Sequence, residues 1–312
     1  MHYAYPARKN SNPPRYLPRT SRLPTIRRRH LKSIALFGLA ILVLIWILSS
    51  GGSSGRSERK ISGKPPVVVV TVFDEKNDNF DYIKSIKENR LQYAEKHGYG
   101  TLFAKASDYN LGGAPGSWAK VVATRHAITK FPDAKYIWYL DQDAYIMNPR
   151  LKVEDYVMSA TQLESQMIKG LPVVPPDSII KTFSDMKGDS VALAITQDKD
   201  GIAVGSFVIR NGEWAKFFLE TWFDPLYRSY NFQKAELHTL EHIVQWHPTI
   251  LSKMAVLPQH TINAYSRGDH GEQYKDGDIA VRFAHCYGTG EKSCTKEADR
   301  FVHQWRTSFN SH

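Results

Sequence analysis

The pattern of apolar and polar positions divides the chain into an aperiodic amino-terminal stretch, an apolar run and a long periodic region. Residues 1–32 show no apolar periodicity, and residues 33–50 are apolar and uncharged. Beyond residue 66, short β-branched runs alternate with segments of helical spacing. This pattern predicts one folded domain over residues 67–312, joined to the apolar run by a Gly-, Ser- and Pro-containing flexible stem at 51–66.

The apolar run 33–50 is just long enough to cross a thin bilayer as a helix. Nine Lys or Arg residues and no Asp or Glu precede it, so we expect a cytoplasmic basic tail over 1–32 and a luminal domain. A cleaved signal peptide is the alternative, because the small residues Ser49 and Ser50 end the run.

The excess of positive charge comes from the amino-terminal tail. The net charge is +10, and nine of the 41 Lys and Arg residues lie in residues 1–32, whereas all 31 Asp and Glu residues lie beyond them. The folded domain is therefore nearly neutral, and we expect no nucleic-acid partner.

The first half of the domain has the pattern of a doubly wound sheet. The runs 67–73, 101–104 and 136–140 read as buried strands, and the segments ending at Gly98 and Lys130 have helical spacing. Ser117 is a candidate N-cap for the second helix. The β-α-β-α-β order predicts an α/β fold with a mostly parallel sheet.

The second half is less regular. Like the first half, it contains no Gly-x-Gly-x-x-Gly or Gly-x-x-x-x-Gly-Lys-Ser/Thr motif, so support for dinucleotide and P-loop folds is removed. Its pattern predicts three helices and four strands: helices over 153–167, 213–222 and 235–246, and strands over 191–196, 206–209, 254–257 and 279–283.

Two carboxylates follow the strand at Tyr136–Leu140. Asp141 and Asp143 are separated by one residue, and ligands of open α/β sheets bind where the strands end. Two hard oxygen ligands suit Mg²⁺ or Mn²⁺, which keep substrate phosphates as further ligands. Such a metal can neutralise a departing diphosphate. The alternative is that both residues begin a solvated turn.

Two further patterns leave alternatives open. His238–His242 matches the His-x-x-Glu-His zinc motif, but no second helix motif supplies a third ligand, and an ordinary amphipathic helix is the alternative. Cys286 and Cys294 can form a local disulfide in an oxidising lumen, or remain a free pair.

Five segments together are similar to one enzyme family: residues 69–72, 89–99, 117–120, 138–144 and 201–211. On these segments the chain resembles a fungal member of glycosyltransferase family 34. That family includes α-1,6-mannosyltransferase subunits of the yeast mannan polymerase complex, fungal α-galactosyltransferases and plant xyloglucan xylosyltransferases. The resemblance covers residues 67–290 and implies a GT-A fold, a nucleotide-sugar donor and retention of anomeric configuration.

The resemblance also implies roles for individual residues. Asp141 and Asp143 would hold Mn²⁺ against the donor diphosphate. Four residues would lie near the donor, namely Thr71, Arg90, Trp118 and Lys120, although a Trp is also a common core residue. Three carboxylates would lie near the sugar and acceptor as catalytic candidates, namely Asp198, Asp200 and Glu241.

The chain departs from the family in one late motif. The family has His-Phe-x-Gly-Cys, whose His completes the metal site, and the corresponding run here is Arg282-Phe283-Ala284-His285-Cys286. Arginine cannot ligate a metal but pairs with phosphate. Either His285 replaces the ligand, or the metal is held more weakly, or the chain is poorly active. Along a strand, successive side chains point to opposite faces, so His285 would not face the same side as residue 282. We therefore expect Arg282 to contact donor phosphate and His285 to be a marginal metal ligand.

The resemblance therefore implies a single-pass type II protein of the Golgi membrane. Its domain would transfer a hexose, from GDP-mannose first of all, to an oligomannose glycan acceptor of mannan through an α-1,6 linkage. Other mannosyltransferase subunits would be its partners in a hetero-complex. UDP-galactose is the alternative donor, and a non-catalytic structural subunit is the alternative role.

Overall fold

The structure is a computed structural model that describes residues 64–74, 79–174, 178–288 and 290–311. All of them lie within one compact unit, residues 60–312. The predicted tail and anchor lie outside the described residues, as does most of the stem. Among the helices that are described, none combines the length and apolar character needed to cross a bilayer.

The described part of the chain contains nine strands: β1 (Val67–Phe73), β2 (Gly100–Lys105), β3 (Tyr136–Leu140), β4 (Ala144–Ile146), β5 (Leu193–Asp198), β6 (Gly201–Arg210), β7 (Met254–Leu257), β8 (Ala264–Tyr265) and β9 (Ala280–Arg282). Six of them form the central sheet in the order β2-β1-β3-β6-β5-β7. β1 is parallel to β2 and β3, and β5 is parallel to β7. The predicted mostly parallel α/β sheet is confirmed, but β6 is antiparallel to both of its neighbours.

Both faces of the central sheet are covered. Along β1, Val68 and Val70 belong to one hydrophobic cluster, and Val67 and Val69 belong to another on the opposite face. Because successive side chains of a strand point to opposite faces, a strand buried on both sides is apolar at nearly every position, and Thr71 is the one polar residue of β1. This explains why β1 lacks the alternating pattern of a half-exposed strand.

Strands β4, β9 and β8 form a second, three-stranded sheet. β4 and β9 are antiparallel, with Ala144 opposite Arg282. The backbone N–H of Phe283 also donates to the carbonyl of Asp143, at 2.8 Å. This small sheet therefore fixes the segment after β3 against the carboxyl end of β9.

The described helices are α1 (Phe80–His97), α2 (Ala119–Lys130), α3 (Val153–Tyr156), α4 (Ala160–Gln166), α5 (Glu213–Trp222), α6 (Pro225–Ser229), α7 (Ala235–Trp246), α8 (Pro248–Leu251) and α9 (Cys294–Asn310). Short 3₁₀ turns cover 106–108, 116–118, 188–190 and 259–261. The predicted bounds of α5 and α7 are confirmed. Gly98 ends α1 with a φ of 68°, a left-handed conformation that glycine adopts without a Cβ penalty.

Three predictions about local structure have a clear outcome. The predicted cap at Ser117 is wrong, because this residue lies in a 3₁₀ turn and its hydroxyl donates to Glu236. The single helix predicted over 153–167 is wrong, because the chain breaks there and Ser159 caps a second helix. The disulfide between Cys286 and Cys294 is confirmed, and it ties the chain after β9 to the first residue of α9.

Candidate active site

The acidic segment lies where β3 ends, and buried side chains hold it there. Thr71 donates its hydroxyl to the carbonyl of Leu140 at 2.9 Å. Arg90 donates to the carbonyls of Asp141 and Ala144, at 3.0 and 2.8 Å. Both Thr71 and Arg90 are fully buried. The structure therefore places these two predicted donor-binding residues beneath the acidic segment, where they position it from within the core.

Trp118 is also placed in the core. It is 2% exposed and contacts Phe223 edge to face, with ring centroids 5.8 Å apart. Both residues belong to or pack against the hydrophobic cluster on one face of the central sheet. Of the two readings of this residue, the structure favours core packing over stacking on a nucleotide base.

Asp141 lies between two cations. Its Oδ1 is 3.8 Å from Nζ of Lys120, and its Oδ2 is 3.1 Å from Nη2 of Arg282. The hydroxyl of Tyr139 donates to Oδ1 at 2.7 Å. On its other side, Lys120 pairs with the buried carboxylate of Glu236 at 3.1 Å. We call these five residues, Asp141, Lys120, Arg282, Tyr139 and Glu236, the Asp141 cluster.

Burial and charge act against each other in the Asp141 cluster. Burial lowers the pKa of the Lys120 ammonium, but Asp141 and Glu236 more than offset it, and the pKa is raised overall. The pKa of Arg282 is raised in the same way, since Asp141 offsets its burial. Both side chains are therefore cations throughout the physiological range.

Asp143 has a different environment. Its Oδ1 accepts a hydrogen bond of 2.7 Å from the hydroxyl of Tyr82. Burial raises the pKa of its carboxyl to about 6, and the nearby Asp141 also raises it. No ion pair among the described residues involves this carboxylate. The two carboxylates of the Asp-x-Asp triplet thus have different partners: two cations face Asp141, whereas a tyrosine hydroxyl donates to Asp143.

Arg282 lies flat against the central sheet at the end of β9. Its Nη1 donates to Oδ1 of Asn263 at 3.1 Å, and its guanidinium carbon lies 5.6 Å from the ring centroid of Tyr265. A Cβ at Gly205 would overlap the guanidinium, so only glycine lets the side chain lie on β6 here. The side chain is 14% exposed.

The catalytic candidates lie around the turn between β5 and β6. Asp198 accepts a hydrogen bond from the Tyr265 hydroxyl, and its Oδ1 also accepts one from the backbone N–H of Asp200 at 2.7 Å. Glu241 accepts from the N–H of Ile202 at 3.2 Å, and burial raises its pKa. Gly201 has a φ of 131° and lies directly against the Glu241 carboxylate, so a side chain at this position is excluded by conformation and by space.

The described ring contacts of His285 are with His270 and Tyr265, not with the acidic pair. β9 ends at Arg282, the chain turns at 284–285, and His285 has a φ of 61°. The imidazole stacks on His270 with ring centroids 3.8 Å apart, and both have ligand atoms within 4.8 Å of the Asp200 carboxylate. Burial, together with His270, lowers the pKa of His285. We call Asp200, His270 and His285 the His270 cluster; all three residues are exposed.

The side chains around the acidic pair test whether the implied Mn²⁺ ion fits. The Asp143 carboxylate has no ion pair among the described residues and is hydrogen-bonded only by Tyr82 there, but Asp141 already faces Lys120 and Arg282. A guanidinium, which cannot ligate a metal, occupies the position expected for the third ligand. A divalent ion on Asp141 would therefore repel two fixed cations at close range. The described residues do not fit an ion held by both carboxylates, and manganese stays a prediction from the sequence.

Within the described part of the chain, the histidines of the zinc motif do not belong to a cluster of possible metal ligands. His238 accepts from the N–H of Lys234 at 3.3 Å. His242 packs edge to face against Tyr227 and Tyr230 instead. Neither joins a group of ligand atoms within 4.8 Å in the described residues. The amphipathic-helix alternative is favoured.

Several residues of the site were missed in the sequence. Glu236, Asn263 and Tyr265 hold Lys120, Arg282 and Asp198 in place. Glu236 had one weak signal, since it is an acidic residue in the first turn of a correctly predicted helix. Asn263 and Tyr265 precede β9 by a loop and carry no motif, so only the tertiary structure identifies them.

Comparisons with known proteins define the family. Residues 63–293 match the model of the galactosyl transferase GMA12/MNN10 family. The chain belongs to this family of glycosyltransferases, and the resemblance seen in its five segments is confirmed.

Relatives with different activities are similar to this chain. One is an uncharacterized alpha-1,2-galactosyltransferase of Schizosaccharomyces pombe, 34% identical over 212 residues, or 66% of this chain and 56% of the relative. Another is the probable alpha-1,6-mannosyltransferase MNN11 of Saccharomyces cerevisiae, 33% identical over 264 residues, or 77% of this chain and 62% of the relative. The chain thus spans less than two thirds of the length of both.

A solved structure is similar at lower identity. It is a glycosyltransferase involved in the glycosylation of the major capsid of PBCV-1, with 15% identity and a TM-score of 0.49, covering 77% of this chain and 98% of that one.

Proposed function

We propose that this chain transfers a hexose from a nucleotide sugar to a glycan acceptor. The observation that carries the proposal is the Asp141 cluster, in which Lys120 and Arg282 converge on one carboxylate at the carboxyl end of β3. Fixed cations at such a place stabilise the negative charge that develops on a departing diphosphate. Family membership supports the reaction class.

The residues around the cluster have complementary tasks in this reaction. Lys120 and Arg282 bind and neutralise the diphosphate. Arg90 holds the backbone of the acidic segment from beneath, so that Asp141 keeps both cations in position. Tyr265 contacts both Arg282 and Asp198, and the transferred sugar and its acceptor would meet next to Asp198. The proposal therefore assigns leaving-group and sugar chemistry to adjoining parts of one site.

GDP-mannose is the donor we propose, with an α-1,6 linkage formed with retention on an oligomannose acceptor. The relative named as a probable alpha-1,6-mannosyltransferase supports this choice, because it is 33% identical over 264 residues. UDP-galactose is the second candidate donor, supported by the 34% identity to a relative named as an alpha-1,2-galactosyltransferase.

Donor profiling of the purified full-length chain tests this proposal. GDP-mannose and UDP-galactose are offered with an oligomannose acceptor, once with MnCl₂ and once with EDTA, and the products are identified by mass spectrometry. Transfer from GDP-mannose is expected. Transfer from UDP-galactose alone would replace the donor assignment. No transfer from either donor would contradict the proposal and favour the non-catalytic subunit.

A pair of variants on one helix connects the activity to the site. Lys120→Met removes a cation of the Asp141 cluster and should lower turnover by roughly 100-fold or more. Lys130→Met removes an exposed cation at the end of the same helix and should leave turnover unchanged. Equal losses in the two variants would contradict the assigned role of Lys120.

We further propose that the protein is a type II protein of the Golgi membrane and works in a hetero-complex with other mannosyltransferase subunits. The nine basic residues before the apolar run 33–50 support this orientation. Protease added outside sealed microsomes should trim only the tail and leave the domain intact. Digestion of the domain would reverse the orientation.

A further inference from the structure

Resting on the proposed function, we infer that Arg282 and Lys120 replace the divalent cation of the donor site, so that this chain binds the donor diphosphate without a metal. The inference concerns the cofactor requirement of the site and is independent of which hexose is transferred.

The first observation is that Arg282 is built into the site. Asn263 and Asp141 accept from its two terminal nitrogens, each at 3.1 Å. Its Nε is buried and has no hydrogen-bond partner among the described residues. The absence of a side chain at Gly205 makes room for the guanidinium on β6. A surface arginine would need neither two fixed acceptors nor a glycine beneath it, so the surroundings are shaped around this cation.

The second observation is that Lys120 approaches the same carboxylate from the other side. It contacts Oδ1 of Asp141 whereas Arg282 contacts Oδ2. Lys120 comes from α2 and Arg282 from β9, so two separate parts of the fold direct a positive charge to one point. The side chains of Lys120, Arg282 and Asp141 are 10%, 14% and 21% exposed, so the point lies at the solvent boundary and a ligand can reach it.

The chemistry of these side chains favours phosphate over a divalent ion. A carboxylate that already has cations at both oxygens is a poor ligand for a further divalent ion. A guanidinium and an ammonium, in contrast, recognise phosphate oxygens directly, and the planar guanidinium can donate two parallel hydrogen bonds. In the free protein Asp141 holds both cations in place, and on binding the diphosphate would share them. The site therefore carries its counter-charge in its own side chains.

Binding measurements on the purified full-length chain separate metal from protein contributions. GDP and UDP are titrated by calorimetry, in EDTA and in MnCl₂, and Mn²⁺ binding is followed by the loss of the free-ion EPR signal. At least one of the two nucleotides should bind with nearly the same affinity in EDTA and in MnCl₂. Arg282→Ala should weaken that binding roughly 10- to 100-fold.

Two substitutions by histidine sharpen the experiment. Arg282→His removes the guanidinium and supplies an imidazole, so nucleotide binding should become dependent on Mn²⁺ and the variant should take up the ion. Arg306→His is the matched control, because Arg306 pairs with Glu88 on the surface. This control should bind nucleotide as the wild type does.

The outcomes that overturn the inference are distinct from those that overturn the proposed function. Nucleotide binding by the wild type only in MnCl₂ would refute the inference and leave the function standing. Binding in EDTA that Arg282→Ala does not weaken would refute it too. Mn²⁺ uptake by the wild type that survives His270→Ala but is lost in Asp143→Asn would place the metal at the acidic pair and refute it. No nucleotide binding under either condition would refute both.

Discussion

The Asp141 cluster and the His270 cluster both contain side chains of the metal-ligand type, yet they differ in charge and burial. In the Asp141 cluster, the Asp141 carboxylate has a cation at each of its two oxygens and is largely buried. The His270 cluster is exposed, and it joins one carboxylate to two imidazoles. An Asp-x-Asp triplet thus specifies a position in the fold, whereas residues from distant segments decide which ion that position attracts.

The largest expected effect is that of Asp141→Asn. The substitution leaves Lys120 and Arg282 close together without their shared carboxylate. We expect it to lower the free energy of unfolding by about 2–3 kcal/mol, a moderate loss because these ion pairs are partly exposed to solvent. Urea unfolding measures the change. Asp200→Asn, in the His270 cluster, should stay within about 0.5 kcal/mol of the wild type. Equal losses in both variants would erase the difference between the clusters.

Gly205→Ala tests the space beneath Arg282. The added Cβ would overlap the guanidinium, so the side chain must shift or β6 must move, at a cost of about 1–3 kcal/mol. Nucleotide binding should weaken roughly 10-fold as the guanidinium loses its place. Gly268→Ala is the control, since a Cβ there meets only ordinary contacts. Nucleotide affinity is measured by calorimetry. Equal affinities in the two variants would show that the Arg282 guanidinium is not confined by the space at Gly205.

Asp143→Asn should give a pH-dependent gain in stability. Burial raises the pKa of Asp143 from its ordinary value of 3.8 to about 6, so the folded protein binds this proton more tightly than the unfolded chain. This contribution is present at low pH and is lost as pH rises through 4 to 6. The variant should therefore exceed the wild type by about 1–2 kcal/mol at pH 8 and match it below pH 4. Urea unfolding of both proteins is measured across this pH range. A stability difference between them that does not change with pH would refute the raised pKa of Asp143.

The smallest expected effect is that of His270→Ala. Removing one imidazole of an exposed stacked pair should change the free energy of unfolding by less than about 0.5 kcal/mol. GDP binding in EDTA should stay within about twofold of the wild type, because the cations that bind the diphosphate are elsewhere. A large loss of nucleotide affinity would merge the two clusters into one functional unit.

Local patterns were enough to predict the parts of the fold that depend on burial alone. The nearly continuous apolar runs of β1 and β3 reflect strands covered on both faces, and the position of Asp141 after β3 follows from them. The bounds of α5 and α7 were predicted from helical spacing. Each of these features is determined by contacts that repeat along one segment, and a sequence displays such repeats directly.

The remainder depends on pairings between distant segments. The antiparallel direction of β6 is set by its neighbours β3 and β5, and nothing within its own residues expresses it. Arg90 and Thr71 carry the residue types of ligand contacts, but their hydrogen bonds go to backbone carbonyls of the acidic segment. His285 turns toward His270 because the chain bends after β9. Composition could not distinguish a residue that binds a ligand from one that positions it.

The contact between Arg282 and Asp141 joins residues 141 positions apart in the chain. Closing so long a loop costs conformational entropy before the contact stabilises anything, so such contacts tend to form after the folding transition state. A residue whose contacts form late changes the rate of unfolding more than the rate of folding. We therefore expect Arg282 variants to refold at nearly the wild-type rate and to have a shorter native-state lifetime.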